Sequence, residues 1–117
     1  AEVRPVFAGV ITTPGVAYLT KSGPFVAGVM ISASHNPYAD NGLKVFDHSG
    51  YKLPDSVELE LEGEILRWRA EAAEVDAELA EDPAWDHQYL DSLISPFPQR
   101  LDGMHFVVDC AHGAAYE

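Results

Sequence analysis

Cysteine occurs once, at position 110, so no disulfide can close within the chain and nothing points to an oxidising compartment. Basic residues are scarce: 7 Lys and Arg stand against 19 Asp and Glu, a formal net charge of −12 at pH 7. That balance argues against nucleic acid and against an anionic membrane surface as partners. Long apolar runs are missing too. None approaches the roughly 20 residues that span a bilayer, and no basic-then-apolar segment opens the chain. The cytoplasm is the expected location. Internal repeats and low-complexity tracts are also lacking.

What is present has an ordinary folded composition. The 117 residues are 47% hydrophobic and 22% charged, enough for one modest domain with a core but not for several. The chain is organised around residues 28–44, GVMISASHNPYADNGLK. Residues 25–31 are continuously apolar, long enough for one buried strand and too short for most helices. The run then breaks into Ser32-Ala33-Ser34-His35-Asn36 before Pro37. Asn36, preceding proline, is pushed out of the α region, and Asn41-Gly42 supplies a second turn. A strand ending in such a loop exposes polar side chains on a rigid support.

Around this stretch the elements alternate in the manner of an α/β domain. Residues 3–11 read as a strand interrupted by Pro5 and carrying Gly9. Thr13 as N-cap with Pro14 next starts a short helix through Leu19 that stops before Gly23-Pro24. Thr12 and Thr13 read as caps rather than ligand contacts. Residues 43–46 form another strand, Asp47-His48-Ser49-Gly50 a turn, and Tyr51-Lys52-Leu53 a short return. Pro54-Asp55-Ser56 begins a long helix, with Asp55 as N-cap and Glu58 three residues on. Val57, Leu61, Ile65 and Trp68 share one face of it, and its carboxylates form a solvated one.

Residues 70–81 either continue that helix or fray into a linker. Asp82-Pro83 starts a further helix that buries Tyr89, Leu90, Leu93 and Ile94, with Trp85 a further candidate, and Pro96 and Pro98 end it. Residues 104–110, MHFVVDC, read as a strand leading into a turn at 111–115. Cys110 reads as a small buried hydrophobe, and His87 and His105 as residues without chemistry. Both ends read as cut: Ala1 stands where an initiator methionine would, and a helix has barely begun at Glu117. Read alone, Ser34 is a turn-capping serine. His35, Asp40, Asp47 and His48 match no compact metal-ligand spacing.

Ser32-Ala33-Ser34-His35-Asn36-Pro37 followed by Asp40-Asn41-Gly42-Leu43-Lys44 resembles the active-site serine loop of the α-D-phosphohexomutases. Weaker matches follow in the family's order. Gly9-Val10-Ile11-Thr12-Thr13-Pro14 with Ala17-Tyr18-Leu19 resembles the strand and proline-started helix before that loop. Gly50-Tyr51-Lys52-Leu53 resembles the segment after it. Val107-Val108-Asp109-Cys110-Ala111-His112-Gly113-Ala114 resembles the entry to the family's second domain, although the family usually has Asn where His112 stands.

The resemblance implies an α/β fold, a mixed sheet with packed helices, as the truncated first domain of a four-domain enzyme. Residues 1–103 would be the incomplete first domain and residues 104–117 the first strand and turn of the second. It implies that Ser34, as phosphoserine, gives its phosphoryl group to a sugar monophosphate and recovers the other group from the bisphosphate intermediate. Lys44 would neutralise charge or assist proton transfer, His35 would hydrogen-bond the phosphate or its loop, and Asn36, Pro37, Asn41 and Gly42 would shape the loop. Mg²⁺ would take one oxygen from the phosphate on Ser34 and the rest from carboxylates outside this chain.

Within the family, Ser32-Ala33-Ser34 and Tyr38-Ala39-Asp40-Asn41-Gly42 lean towards amino-sugar phosphates. Mannose or glucose phosphates, or a non-catalytic module, are the rival readings. The acidic total requires any phosphate site to be local, built from backbone N–H groups and a few Lys or Arg. The expected partners are a phosphosugar, the missing C-terminal domains of the same enzyme, and a second copy pairing along the edge at 104–108. The fragment alone is expected to be inactive.

Overall fold

The computed structural model describes residues 3–68 and 79–116. Among them the elements run α1 (Thr13–Ser22), β1 (Ala27–Ser32), β2 (Gly42–Asp47), α2 (Asp55–Trp68) and α3 (Ala84–Ile94). The two strands form one antiparallel hairpin whose register runs from Ala27 opposite Asp47 to Ser32 opposite Gly42. Beyond β2, Gly50 N–H closes the expected turn on Asp47 O at 2.9 Å, and Lys52 returns to bridge Phe46.

Gly28 decides how α1 sits on the hairpin. A Cβ there would lie 2.0 Å from Thr20 Oγ1 and 3.2 Å from Val16 Cγ1, both on α1. Directly opposed residues share a face and successive ones alternate. The pairs Gly28/Phe46, Met30/Lys44 and Ser32/Gly42 therefore look towards α1. Phe46 is buried there together with Leu19, Thr20 and Ile11. α3 extends this core from the other side of α1: Tyr89 packs on Tyr18 with ring centroids 5.9 Å apart, and Trp85 meets Phe25 edge-on at 5.0 Å.

The α/β class is as expected, although of the described helices α1 alone packs on the sheet. The expected mixed sheet is corrected: among the described residues the sheet is two antiparallel strands, and the parallel pairing is an isolated bridge outside it, Phe7 to Glu81. Residues 3–11 correct the expected strand, since that bridge is their single pairing among the described residues. Pro5 offers no N–H and Gly9 turns the chain at a φ of 75°, so a ladder cannot propagate. α1 is capped by Thr12 rather than Thr13: its side chain accepts Gly15 N–H at 3.4 Å. The helix runs on to Ser22, three residues past Leu19, and Gly23 N–H closes on Leu19 O at 2.8 Å.

The apolar strand is shifted to 27–32 and is not buried: Ile31 on the side away from α1 is 67% exposed. A two-stranded sheet with a helix over one face leaves the other open. α2 forms, but no other element packs on it, and its apolar face is exposed, Trp68 at 71%. Asp55 lies inside its first turn, where Pro54 O accepts Val57 N–H and Glu58 N–H at 2.9 and 3.1 Å. Glu58 pairs with Lys52 at 2.8 Å instead of capping the helix.

At α3, Pro83 occupies the cap position, and Asp82 Oδ1 accepts Ala84 N–H at 3.0 Å from one residue further out. Tyr89 and Trp85 are half-buried, whereas Leu90, Leu93 and Ile94 are exposed because the helix meets α1 with one edge only. Residues 104–110 are not a strand: they have no ladder partner among the described residues, and Val107 is fully exposed. The turn after them forms, with Gly113 N–H on Cys110 O at 2.9 Å. Cys110 is half-buried rather than buried, and its thiol donates to Ala115 O at 3.0 Å. The alternatives drawn for 70–81 lie outside the described residues up to 78, as does the helix start at 117. Among the described residues no helix is long and apolar enough to cross a membrane.

Candidate active site

The hairpin register places residues 33–41 at its tip, closed at the base by the Ser32/Gly42 pair. Two backbone turns shape this loop. Asn36 N–H donates to Ala33 O at 3.0 Å, and Asp40 N–H donates to Pro37 O at 2.9 Å. Asn36 and Pro37 therefore act through their main chains, and neither Asn36 nor Asn41 makes a side-chain hydrogen bond among the described residues. Gly42 belongs to β2 rather than to the turn, and a Cβ there would make an ordinary 3.6 Å contact with Ser32 O.

Ser34 is the anomaly of the loop. Its φ is 55°, a left-handed value shared among described non-glycine residues with Ala111 alone. Such a conformation costs on the order of 1–3 kcal/mol and persists where the surroundings hold it. Ser34 N–H donates to Ser32 Oγ at 3.0 Å, the i to i+2 bond of a serine turn. The hydroxyl lies 3.3 Å from His35 Nδ1, to which it donates when that nitrogen is unprotonated. Ser34 and His35 are both exposed, so Oγ is open to an incoming molecule.

Lys44 is half-buried in β2, opposite Met30 and on the α1 side. Ser32 occupies the next position towards the loop on the same face, roughly 7–8 Å away on the diagonal. Lys44 makes no hydrogen bond to Ser34, so the structure sets it at the base of the loop rather than on the hydroxyl. From Lys21 to Lys52 the sequence holds no other Lys or Arg. At the far end of β2, the Ser49 hydroxyl, then its N–H, hold the Asp47 carboxyl below its ordinary 3.8. That arrangement fixes a turn remote from Ser34.

Among the described residues, no group of three or more His, Cys, Asp or Glu could hold a metal ion. The polar atom beside Ser34 Oγ is an imidazole nitrogen, whereas Mg²⁺ takes a near-octahedral shell of oxygens. The described residues do not by themselves fit that ion. Two contributors went unread in the sequence, Ser32 and Gly28. Serine two residues ahead of a loop serine and glycine inside an apolar strand were the available signals.

A family model described as phosphoglucomutase/phosphomannomutase, alpha/beta/alpha domain I, matches residues 1–72. Over 117 residues the chain is 58% identical to a phosphoglucosamine mutase of Solibacter usitatus, covering 99% of the chain and 26% of that protein. It is 49% identical to a phosphoglucosamine mutase of Thiobacillus denitrificans, covering 99% of the chain and 26% of the relative. A third, from Paraburkholderia xenovorans, is 47% identical over all of this chain and 26% of its own length. The chain thus spans about a quarter of the curated relatives it matches, 26% of each of these three.

Proposed function

Since the chain belongs to the phosphoglucomutase/phosphomannomutase family through its alpha/beta/alpha domain I, we propose that it is part of a phosphoglucosamine mutase. In this reading it carries the phosphoserine that interconverts glucosamine 6-phosphate and glucosamine 1-phosphate. The names of its relatives support the amino-sugar assignment. The observation that carries the chemistry is Ser34, exposed at φ 55° on the tip of a hairpin closed at its base. Phosphoryl transfer depends mainly on positioning and charge neutralisation, and a strand-borne tip supplies the first.

In the forward half-reaction the Oγ–P bond of phosphorylated Ser34 breaks as a P–O bond forms to a sugar hydroxyl. The hydroxyl proton passes, in net terms, to Ser34 Oγ, which leaves with the bonding pair. His35 Nδ1, 3.3 Å from Oγ, is placed to relay that proton. Lys44, the sole Lys or Arg between Lys21 and Lys52, offsets the phosphoryl charge. The second half-reaction reverses the roles: the other phosphoryl group of the bisphosphate returns to Oγ. Mg²⁺ would neutralise charge on the phosphate carried by Ser34, the one residue of this chain proposed to hold it, and its other ligands would come from outside this chain.

Residues 1–103 are assigned to the first domain, within which the family match at 1–72 falls. Residues 104–117 are assigned to the entry of the second. The open hairpin face around Ile31 and the unpaired 104–110 segment then meet the other domains of the same polypeptide. The single cysteine and the acidic surface agree with a cytoplasmic protein that binds neither nucleic acid nor membrane. The test compares turnover of glucosamine, mannose and glucose phosphates by the full-length protein, with Ser34→Ala beside it. Glucosamine phosphate turns over fastest and Ser34→Ala is inactive. Preference for mannose or glucose phosphate moves the chain to another branch, and an active Ser34→Ala protein rejects the phosphoserine.

A further inference from the structure

We infer that Ser32 is a positioning residue for phosphoryl transfer: its hydroxyl, by accepting Ser34 N–H, acts with the Asn36 to Ala33 turn bond to hold Ser34 in its left-handed conformation and so aims Oγ out of the hairpin tip. The inference rests on the reading of Ser34 as the phosphoryl carrier. Ser32 is the last side chain of β1, half-buried on the α1 side and paired with Gly42, whereas 34–41 are exposed. Only Ala33, half-buried and without a polar side chain, stands between it and the exposed loop. Ser32 Oγ stands 3.0 Å from Ser34 N, and no other acceptor takes that N–H among the described residues.

The two backbone bonds inside the loop, Asn36 to Ala33 and Asp40 to Pro37, do not involve Ser34's own amide or carbonyl. The first closes a four-residue turn with Ser34 and His35 at its centre, so it and the Ser32 bond together hold the φ of 55° at Ser34. With the Ser32 acceptor removed, the turn bond alone opposes the preference of L-residues other than glycine for negative φ. Rotation about N–Cα carries Cβ and Oγ with it, and transfer rates fall when a reacting atom is misplaced by even an ångström.

The experiment uses the full-length protein with Ser32→Ala, Ser32→Thr and Ser34→Ala. Its readouts are kcat and KM for the sugar phosphate, the phosphate carried on Ser34 by intact mass, and the thermal unfolding temperature. Loss of one neutral hydrogen bond predicts a fall in kcat of about fivefold to tenfold for Ser32→Ala. KM and the unfolding temperature stay at wild-type values, and Ser32→Thr, which keeps the hydroxyl, restores kcat. Wild-type kcat in Ser32→Ala overturns the inference, as does an equal fall in both Ser32 variants, because side-chain volume rather than the hydroxyl would then matter. Either result, with Ser34→Ala inactive, leaves the phosphoserine reading standing. Activity in Ser34→Ala removes that reading and this inference together.

Discussion

Replacing Gly28 by alanine tests whether the loop-bearing hairpin is seated on α1 as described. The new Cβ would fall 2.0 Å from Thr20 Oγ1 and 3.2 Å from Val16 Cγ1, so α1 and β1 must move apart. Thr20 cannot swing aside freely, because it is buried and its hydroxyl donates to Val16 O at 2.7 Å. Overpacking of this kind costs about 1–3 kcal/mol, partly offset by the roughly 0.4–1 kcal/mol that alanine recovers from the unfolded chain. The net loss is about 1–2 kcal/mol, which means amide exchange roughly 5–30 times faster where opening is local.

Hydrogen exchange of α1 and hairpin peptides in the full-length protein reads this directly. Thr20→Ala removes the offending oxygen, so adding it to Gly28→Ala should return most of the lost protection, a coupling that a double-mutant cycle isolates. Unchanged exchange in Gly28→Ala, or no recovery in the double variant, refutes the seating of α1 on β1 and with it the anchoring of the Ser34 loop.

Other consequences are simpler. Lys44→Met should lower kcat about 10²-fold or more without abolishing phosphate on Ser34, if its charge acts in the transition state; equal loss of kcat and phosphorylation would point to a fold defect. The isolated 117-residue chain should show no mutase turnover, because metal carboxylates and sugar-binding groups are proposed to lie elsewhere; a standard coupled assay detects any exception. Asp47, held below 3.8 chiefly by the Ser49 hydroxyl, stabilises the turn above the unfolded value, and that stabilisation is lost as pH falls through the folded one. Ser49→Ala should therefore lower stability at neutral pH and converge on wild type in acid, which flattens the acid side of the pH–stability curve. Self-association through residues 104–108 predicts concentration-dependent light scattering that Val107→Asp suppresses.

Legibility in the sequence followed the range of the interactions involved. The start of α1 was readable within one residue because a threonine cap and Pro14 are local signals. α2 was readable as a helix, but what its apolar face meets is decided elsewhere, and the structure leaves Val57, Leu61, Ile65 and Trp68 without a packed element. Strands fared worst, since their hydrogen bonds lie outside themselves. Residues 3–11 and 104–110 carry strand-like residues yet find no ladder among the described residues, and the apolar run at β1 says nothing about which of its faces is covered.

The loop divides the same way. Its residue identities carried a family resemblance that the comparisons bear out. The left-handed Ser34 and its bond to Ser32 were not read, because serine rarely adopts positive φ and the serine-turn spacing is common.

The central claim is that Ser34 carries the phosphoryl group. Incubating the full-length protein with a hexose bisphosphate carrying radioactive phosphorus, followed by peptide mapping, tests it most directly. Label should appear on the peptide containing Ser34, approach one per chain, and leave when sugar monophosphate is added. Turnover that proceeds with no label at Ser34 would contradict it.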